Sequence, residues 1–251
     1  MSAILNFNPP VIAHRGASAY APENTMIAFT KAMQLGLKWI EFDVMQAACG
    51  EPIIFHDELL DRTTNGRGEV HHYPYAYLRT LDAGSWFDPF FAGETIPSFK
   101  QLLAFLEWNQ ATLNLNIEIK ALPETEEQLI IRVLEEVSAS AISKKINILF
   151  SSFSFQALHI LRHYAPESQL GMLLYQWEPG WQSLCDSLNC VSVHVDQEIM
   201  TASAATEIKS MDKQLLCYTV NEPKTALKLY DWGVDAVFSD VPDTILAALD
   251  E

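Results

Sequence analysis

Two short segments carry three carboxylates and a lysine at alternating positions. "IEFDV" holds Glu41 and Asp43, and "NIEIK" holds Glu118 and Lys120. Side chains two residues apart on a strand share a face, so each pair would project together. Unpaired carboxylates are costly to bury in an apolar strand, and three of them on two strands call for a cation. An all-oxygen set suits a hard divalent ion, Mg²⁺ or Ca²⁺, rather than zinc. The other reading is a set of salt bridges, for example Glu118 with Arg15 or Lys120.

Two histidines join this set. "VIAHRG" closes an apolar run with His14, Arg15 and Gly16, and "PIIFHD" closes another with His56 and Asp57. A lone histidine is most often structural, but two at one end of a fold suit paired acid and base work. Arg15 and Lys120 offer the positive charge that a phosphodiester oxygen needs. Gly16 is expected to let the backbone approach the phosphate closely. Glu23 and Asn24 of "PENT" read either as a helix cap or as contacts to the site. Ser152, Phe153, His194, Tyr218, Asn221 and Asp240 also lie at strand ends, where a structural role is the simpler reading.

Positioning such groups takes a scaffold of strands. Candidates are residues 11–14, 39–44, 52–56, 115–120, 146–153, 170–175, 190–195, 215–220 and 236–240, with helical patterns between most of them. This alternation predicts βα units and a mostly parallel sheet. Only "MQAACGE" separates the second run from the third, too little for a parallel crossover, so these two form a hairpin. A turn near Cys49-Gly50 would set Asp43 opposite His56. Eight parallel strands and one hairpin strand make a (β/α)₈ TIM barrel, with a doubly wound open sheet as the alternative. The candidate site residues then gather at the C-terminal end of the strands, where barrel enzymes act. "TMIAFTKAMQLG" reads as the first helix, stopped by Gly36. Residues 59–96 are irregular, yet too rich in aromatics for disorder, and read as a small inserted subdomain over one barrel end. Nothing else divides the chain, so residues 1–251 read as a single domain.

Composition narrows the chemistry further. With 32 acidic against 16 basic residues, the formal net charge is −16 and no basic stripe offsets it. That argues against nucleic acid and anionic membrane surfaces. No apolar run is long enough to span a bilayer, and the N-terminus lacks the pattern of a signal peptide, so no stable membrane anchor and a cytoplasmic location are expected. Cys49, Cys185, Cys190 and Cys217 include no CxxC pair and read as reduced, mostly buried thiols. A homo-oligomer is compatible with all of this.

The ordered series "AHRG", "PENT", "IEFDV", "FHD", "DRTTNG", "GETIPSF", "NIEIK", "SSF", "YTVN" and "VFSDVP" spans residues 12–242. It resembles the glycerophosphodiester phosphodiesterase family, in particular its short cytoplasmic bacterial type. The resemblance implies a TIM barrel with an insertion after the His-Asp motif. It implies one divalent cation, Mg²⁺ or Ca²⁺, on Glu41, Asp43 and Glu118, with His14 and His56 as the catalytic pair. Arg15 and Lys120 would hold the phosphate, and Glu23, Tyr218 and Trp86 complete the expected substrate-binding set. The substrates would be small glycerophosphodiesters such as glycerophosphocholine or glycerophosphoethanolamine, cleaved to sn-glycerol 3-phosphate and an alcohol. Attack by the glycerol 2-hydroxyl through a cyclic phosphate is the expected route, with direct attack by water as the alternative. Two departures are visible: the hairpin turn reads "AACGE" where Thr-x-Asp-Gly is common, and Tyr218 stands where many members carry Trp. A lysophospholipid phosphodiesterase and a metal-free sugar-phosphate barrel are the competing readings.

Overall fold

Each of the nine apolar runs becomes a strand in the computed structural model, which describes residues 4–120 and 122–249. They are β1 (Val11–Ala13), β2 (Trp39–Gln46), β3 (Pro52–Ile54), β4 (Asn114–Ile119) and β5 (Ile148–Ser152). β6 (Gln169–Leu174), β7 (Ser192–Asp196), β8 (Gln214–Tyr218) and β9 (Ala236–Ser239) follow. The helices are α1 (Met26–Gln34), α2 (Tyr75–Leu78), α3 (Phe99–Trp108), α4 (Glu126–Ala139) and α5 (Phe155–Tyr164). α6 (Trp181–Ser187), α7 (Ala202–Ser210), α8 (Pro223–Asp231) and α9 (Pro242–Ala247) complete the set. The sheet runs β1-β9-β8-β7-β6-β5-β4-β2-β3, and β1 also pairs with β2, so eight parallel strands close a (β/α)₈ barrel. No helix among the described residues is long and apolar enough to cross a membrane.

β3 lies outside the ring, antiparallel to β2, with Val44 opposite Ile54 and Gln46 opposite Pro52. The Gly50 N–H donates to the Ala47 carbonyl at 2.9 Å. Gly50 takes a φ of +82°. Such a left-handed residue closes a three-residue hairpin turn. This turn centres on Cys49, so Asp43 faces Phe55, whose N–H donates to the Asp43 carbonyl at 3.0 Å. His56 therefore sits one residue beyond the position opposite Asp43 that the sequence suggests. The physical reason is small: moving a turn centre by half a residue moves the register by one.

Strand alternation sorts the side chains into two cores. Val11, Ala13, Ile40, Phe42, Val44, Leu115, Ile117 and Ile119 pack outward with buried residues of the helices. Ile12, Trp39, Leu149 and Leu216 fill the N-terminal end of the barrel together with Leu5 and Phe7. The Phe7 and Trp39 rings lie 4.8 Å apart, and the Trp39 indole donates to the Asn6 carbonyl at 2.8 Å. With this end sealed by apolar groups, the polar interior positions are left at the opposite mouth.

Residues 59–96 pack against the hairpin. Leu60, Val70, Leu78, Leu81, Ala83 and Ile96 bury a third apolar cluster with Met45, Ala47, Ile53 and Phe55. The segment packs on the hairpin and reaches the barrel mouth through Arg62, which donates to Asp57 and Glu23.

α1 begins at Thr25, whose hydroxyl accepts the Ala28 N–H, and ends beside Gly36 at φ +75°. Gly16 has a φ of +81°, and a Cβ there would meet the carbonyl carbon and Cβ of Ala28 at 2.8 Å. Its lack of a side chain thus serves the docking of the β1 end on α1. Gly16→Ala is expected to lower stability by about 1–3 kcal/mol, read by denaturant unfolding.

Candidate active site

The C-terminal ends of β2 and β4 lie side by side, with Asp43 in register with Glu118 and Glu41 with Asn116. Glu41 and Asp43 are buried. One oxygen from each of Glu41, Asp43 and Glu118 lies within 4.8 Å of the others. Burial and the neighbouring Asp43 and Glu118 carboxylates hold the Glu41 pKa well above its ordinary value. Burial and Asp43 push Glu118 up to about 7. Burial also penalises Asp43, but Arg15, Lys120 and His56 outweigh it and hold its carboxyl below the usual range.

Glu41 Oε2 accepts the Arg15 N–H at 2.9 Å, whereas Oε1 is buried without a hydrogen-bond partner. An unpartnered carboxylate oxygen amid mutually repelling acids is what a bound cation would satisfy. The donor set fits a hard divalent ion.

Basic side chains rim the trio. Lys120 Nζ lies 3.2 Å from Glu118 and 3.6 Å from Asp43. Arg15 Nε lies 3.5 Å from Asp43 Oδ2, and Arg15 Nη1 donates to Glu23 at 2.8 Å. Arg15 adopts a φ of +55°, which turns its N–H onto Glu41. Asn24 (φ +57°) donates from its amide to Asp43 Oδ2 at 2.8 Å. "PENT" therefore divides its labour: Asn24 steadies Asp43, Thr25 caps α1, and Glu23 ties Arg15 to Arg62.

Both histidines are held by aspartates. His14 Nδ1 lies 2.7 Å from Asp240, which also accepts from Ser18 and Asn221. His56 Nδ1 lies 2.6 Å from Asp57, whose two oxygens also accept from Arg62. A carboxylate can only accept, so each neutral imidazole carries its proton on Nδ1 and keeps the Nε2 lone pair free. Burial works against the Asp240 carboxylate, but its bonds to His14, Asn221 and Ser18 hold it far below the usual range. Burial likewise opposes Asp57, and Arg62 and His56 bring it down to about 2. Burial, aided by Arg15 and Lys120 and opposed by Asp43, holds His56 below its ordinary pKa.

The Asp57 shift has a testable sign. A depressed carboxylate contributes stability above its unfolded pKa of about 3.8, and that contribution is lost as pH falls through about 2. Denaturant titrations should find Asp57→Asn less stable than wild type at neutral pH. The gap should close between about pH 4 and pH 2.

A cavity of about 300 Å³ opens between these groups, lined by His14, Arg15, Glu41, His56, Glu118 and Lys120, with Phe153, Asp196 and Tyr218 on the far side. Of the other residues singled out in the sequence, Glu23 and Trp86 do not line it. Glu23 spends both oxygens on Arg15 and Arg62, and Trp86 donates to Ala83 with the Arg62 guanidinium 6.0 Å from its ring. Both belong to the expected substrate-binding set; in the structure Glu23 bonds Arg15 and Arg62, and Trp86 stands beside Arg62. His194 is fully buried against Ser192, at 2.8 Å, and burial lowers its pKa to about 3. Arg62 and Asn116 lie inside the quoted motifs "DRTTNG" and "NIEIK" without being singled out there, and Asp196 carries no pattern in the sequence that marks it. Asp240 and Asn221 are marked by their strand-end positions and by the motifs "VFSDVP" and "YTVN", but not as partners of His14.

A barrel mouth with three clustered acids, two bases and two histidine–aspartate pairs around one cavity defines an enzyme for an anionic substrate. Residues 14–244 match the model of the glycerophosphoryl diester phosphodiesterase family. A glycerophosphodiester phosphodiesterase of Caldanaerobacter subterraneus is 32% identical over 246 residues, covering 94% of this chain and 96% of that protein. One from Bacillus subtilis is 32% identical over 248 residues, covering 92% and 83%. An Oleispira antarctica phosphodiesterase, solved in complex with the product sn-glycerol 3-phosphate, superposes with a TM-score of 0.92 at 38% identity, covering 97% of each chain. The chain belongs to the glycerophosphodiester phosphodiesterase family, and is a hydrolase of that activity.

Proposed function

We propose that the protein cleaves small glycerophosphodiesters, such as glycerophosphocholine and glycerophosphoethanolamine, to sn-glycerol 3-phosphate and the free alcohol, using one divalent cation, Mg²⁺ or Ca²⁺. The observation that carries this reading is the pairing of two aspartate-held imidazoles with the acidic trio around a single cavity. A cation on Glu41, Asp43 and Glu118 would neutralise phosphoryl charge and acidify a glycerol hydroxyl. Arg15 and Lys120 add fixed positive charge where a phosphodiester would repel an attacking oxygen. Burial works against the charge of each, but the surrounding carboxylates keep both more firmly protonated than usual.

The glycerol 2-hydroxyl stands close to its own phosphorus, and intramolecular attack has a large effective-molarity advantage. One of His14 and His56 takes that proton on Nε2, and the other gives a proton to the departing alcohol. Asp240 and Asp57 stabilise whichever imidazole is charged. Water then opens the cyclic phosphate with the two roles exchanged. The whole chain acts as one domain in this reading. Residues 59–96 form an inserted subdomain whose Arg62 steadies Asp57 and so His56. Four free cysteines accord with action in the cytoplasm.

The test is a panel of glycerophosphodiesters assayed for released glycerol 3-phosphate, with Mg²⁺, with Ca²⁺ and after EDTA. Release that depends on added cation supports the proposal. Full release after exhaustive chelation removes the metal from it, and no release from any diester removes the substrate class.

A further inference from the structure

The inserted segment carries a second cluster of ligating side chains, which the reaction above leaves unused. Glu69 precedes the 3₁₀ turn Val70–His72, which holds His71 and His72. His71 Nε2 lies 3.1 Å from Glu69 Oε2, and His72 Nε2 lies 3.6 Å from the same oxygen. The two rings lie beside each other, with centroids 4.3 Å apart. One donor atom from each of the three side chains lies within 4.8 Å of the others. His71 also lines a cavity of about 150 Å³ with Glu58, so a further acidic residue backs the group.

Donor chemistry and spacing set this group apart from the trio at the barrel mouth. Two imidazole nitrogens and a carboxylate oxygen suit a borderline ion such as Zn²⁺, whereas an all-oxygen set suits a hard one. Ligand atoms about 2.0–2.1 Å from a tetrahedral Zn²⁺ lie about 3.3 Å from one another. The 3.1 and 3.6 Å separations bracket that spacing. The His72 side chain, 65% exposed, has room to close the third side, and the fourth position is left to water. The turn itself is anchored. The Val70 N–H donates to the Glu58 carbonyl at 2.9 Å, the His72 N–H donates to the Glu69 carbonyl at 3.1 Å, and the Val70 side chain is buried. Glu69 also forms an antiparallel bridge with Leu59. Binding an ion here orders three side chains on a backbone that is already fixed, which keeps its entropic cost low.

We infer that Glu69, His71 and His72 form a second metal site, for a borderline divalent ion such as Zn²⁺, within the inserted segment. It shares no ligand with Glu41, Asp43 and Glu118, and it stands whatever the substrate is. An ion there ties Glu69, the bridge partner of Leu59, to the turn that follows it. That closes the base of the loop whose Arg62 holds Asp57.

The experiment titrates Zn²⁺ into the whole protein by calorimetry in excess Mg²⁺, for wild type, His71→Ala, His72→Ala and Glu41→Gln. Wild type should bind one Zn²⁺ equivalent whose affinity falls about tenfold or more in either histidine variant. Glu41→Gln should leave the affinity of that equivalent within about twofold of wild type. Both histidines are at the surface, and metal-free thermal unfolding close to that of wild type shows that their variants are folded. Zinc bound with wild-type affinity by both histidine variants would place the ion elsewhere, at the acidic trio if Glu41→Gln loses it, and would overturn the inference. Wild type that takes up no Zn²⁺ equivalent would overturn it as well.

Discussion

Alanine at His14 or at His56 is expected to lower kcat on glycerophosphocholine by about 10²–10⁴-fold, the range for loss of a positioned acid or base. The two positions should be similar in cost because their surroundings are alike. Each imidazole gives Nδ1 to an aspartate, at 2.7 Å for His14 and 2.6 Å for His56, and each lines the same cavity. Cleavage needs one proton taken and one given, so neither histidine can stand in for both. The double variant should cost little more than either single one, since groups acting as a unit are non-additive. KM should move far less than kcat, because Arg15 and Lys120, the proposed phosphate holders, are left in place. Steady-state kinetics at saturating Mg²⁺ or Ca²⁺ decide the matter, and full turnover in either single variant would sink the assignment.

Removal of the divalent cation has an expected effect of comparable size, about 10²-fold or more on turnover. It also carries a stability signature independent of activity. Glu41, Asp43 and Glu118 crowd together, and Glu41 Oε1 has no protein partner. A cation bound only by the folded chain adds about 2.7 kcal/mol of stability at a hundredfold excess over Kd. Thermal unfolding of wild type should therefore rise with added Mg²⁺ or Ca²⁺, and Glu41→Ala should lose most of that response. The sign reverses without metal: Glu41→Gln deletes one repelling buried acid and should unfold at a higher temperature than metal-free wild type. A metal-free Glu41→Gln protein less stable than wild type would mean that Glu41 serves as a structural anchor for Arg15.

All nine strands could be read from the chain because apolar runs bounded by helical patterns are local signals. The short "MQAACGE" connection likewise announced the hairpin. Its register came out one residue off, since half a residue in the turn centre decides it. The acid pairs were visible because strand period alone puts Glu41 beside Asp43, and Glu118 beside Lys120, on one face. Motif order marked His14 and His56.

Local pattern could not show what holds these groups. His14 and Asp240 are 226 residues apart, and they meet only because β1 closes the ring beside β9. Glu23 lies 39 residues from Arg62 and meets it through the packing of the inserted segment on the hairpin. The tight seat of Gly16 against Ala28 of α1 is likewise visible only in the fold. Asp196 was silent because a single carboxylate after an apolar run has no periodic partner. Thus the sequence by itself determined the strands, their alternation and the residue types at the mouth, all set by neighbours in the chain. Only the closed barrel decided which groups pair, which stand behind the cavity and which face it, because those contacts join strands far apart in sequence.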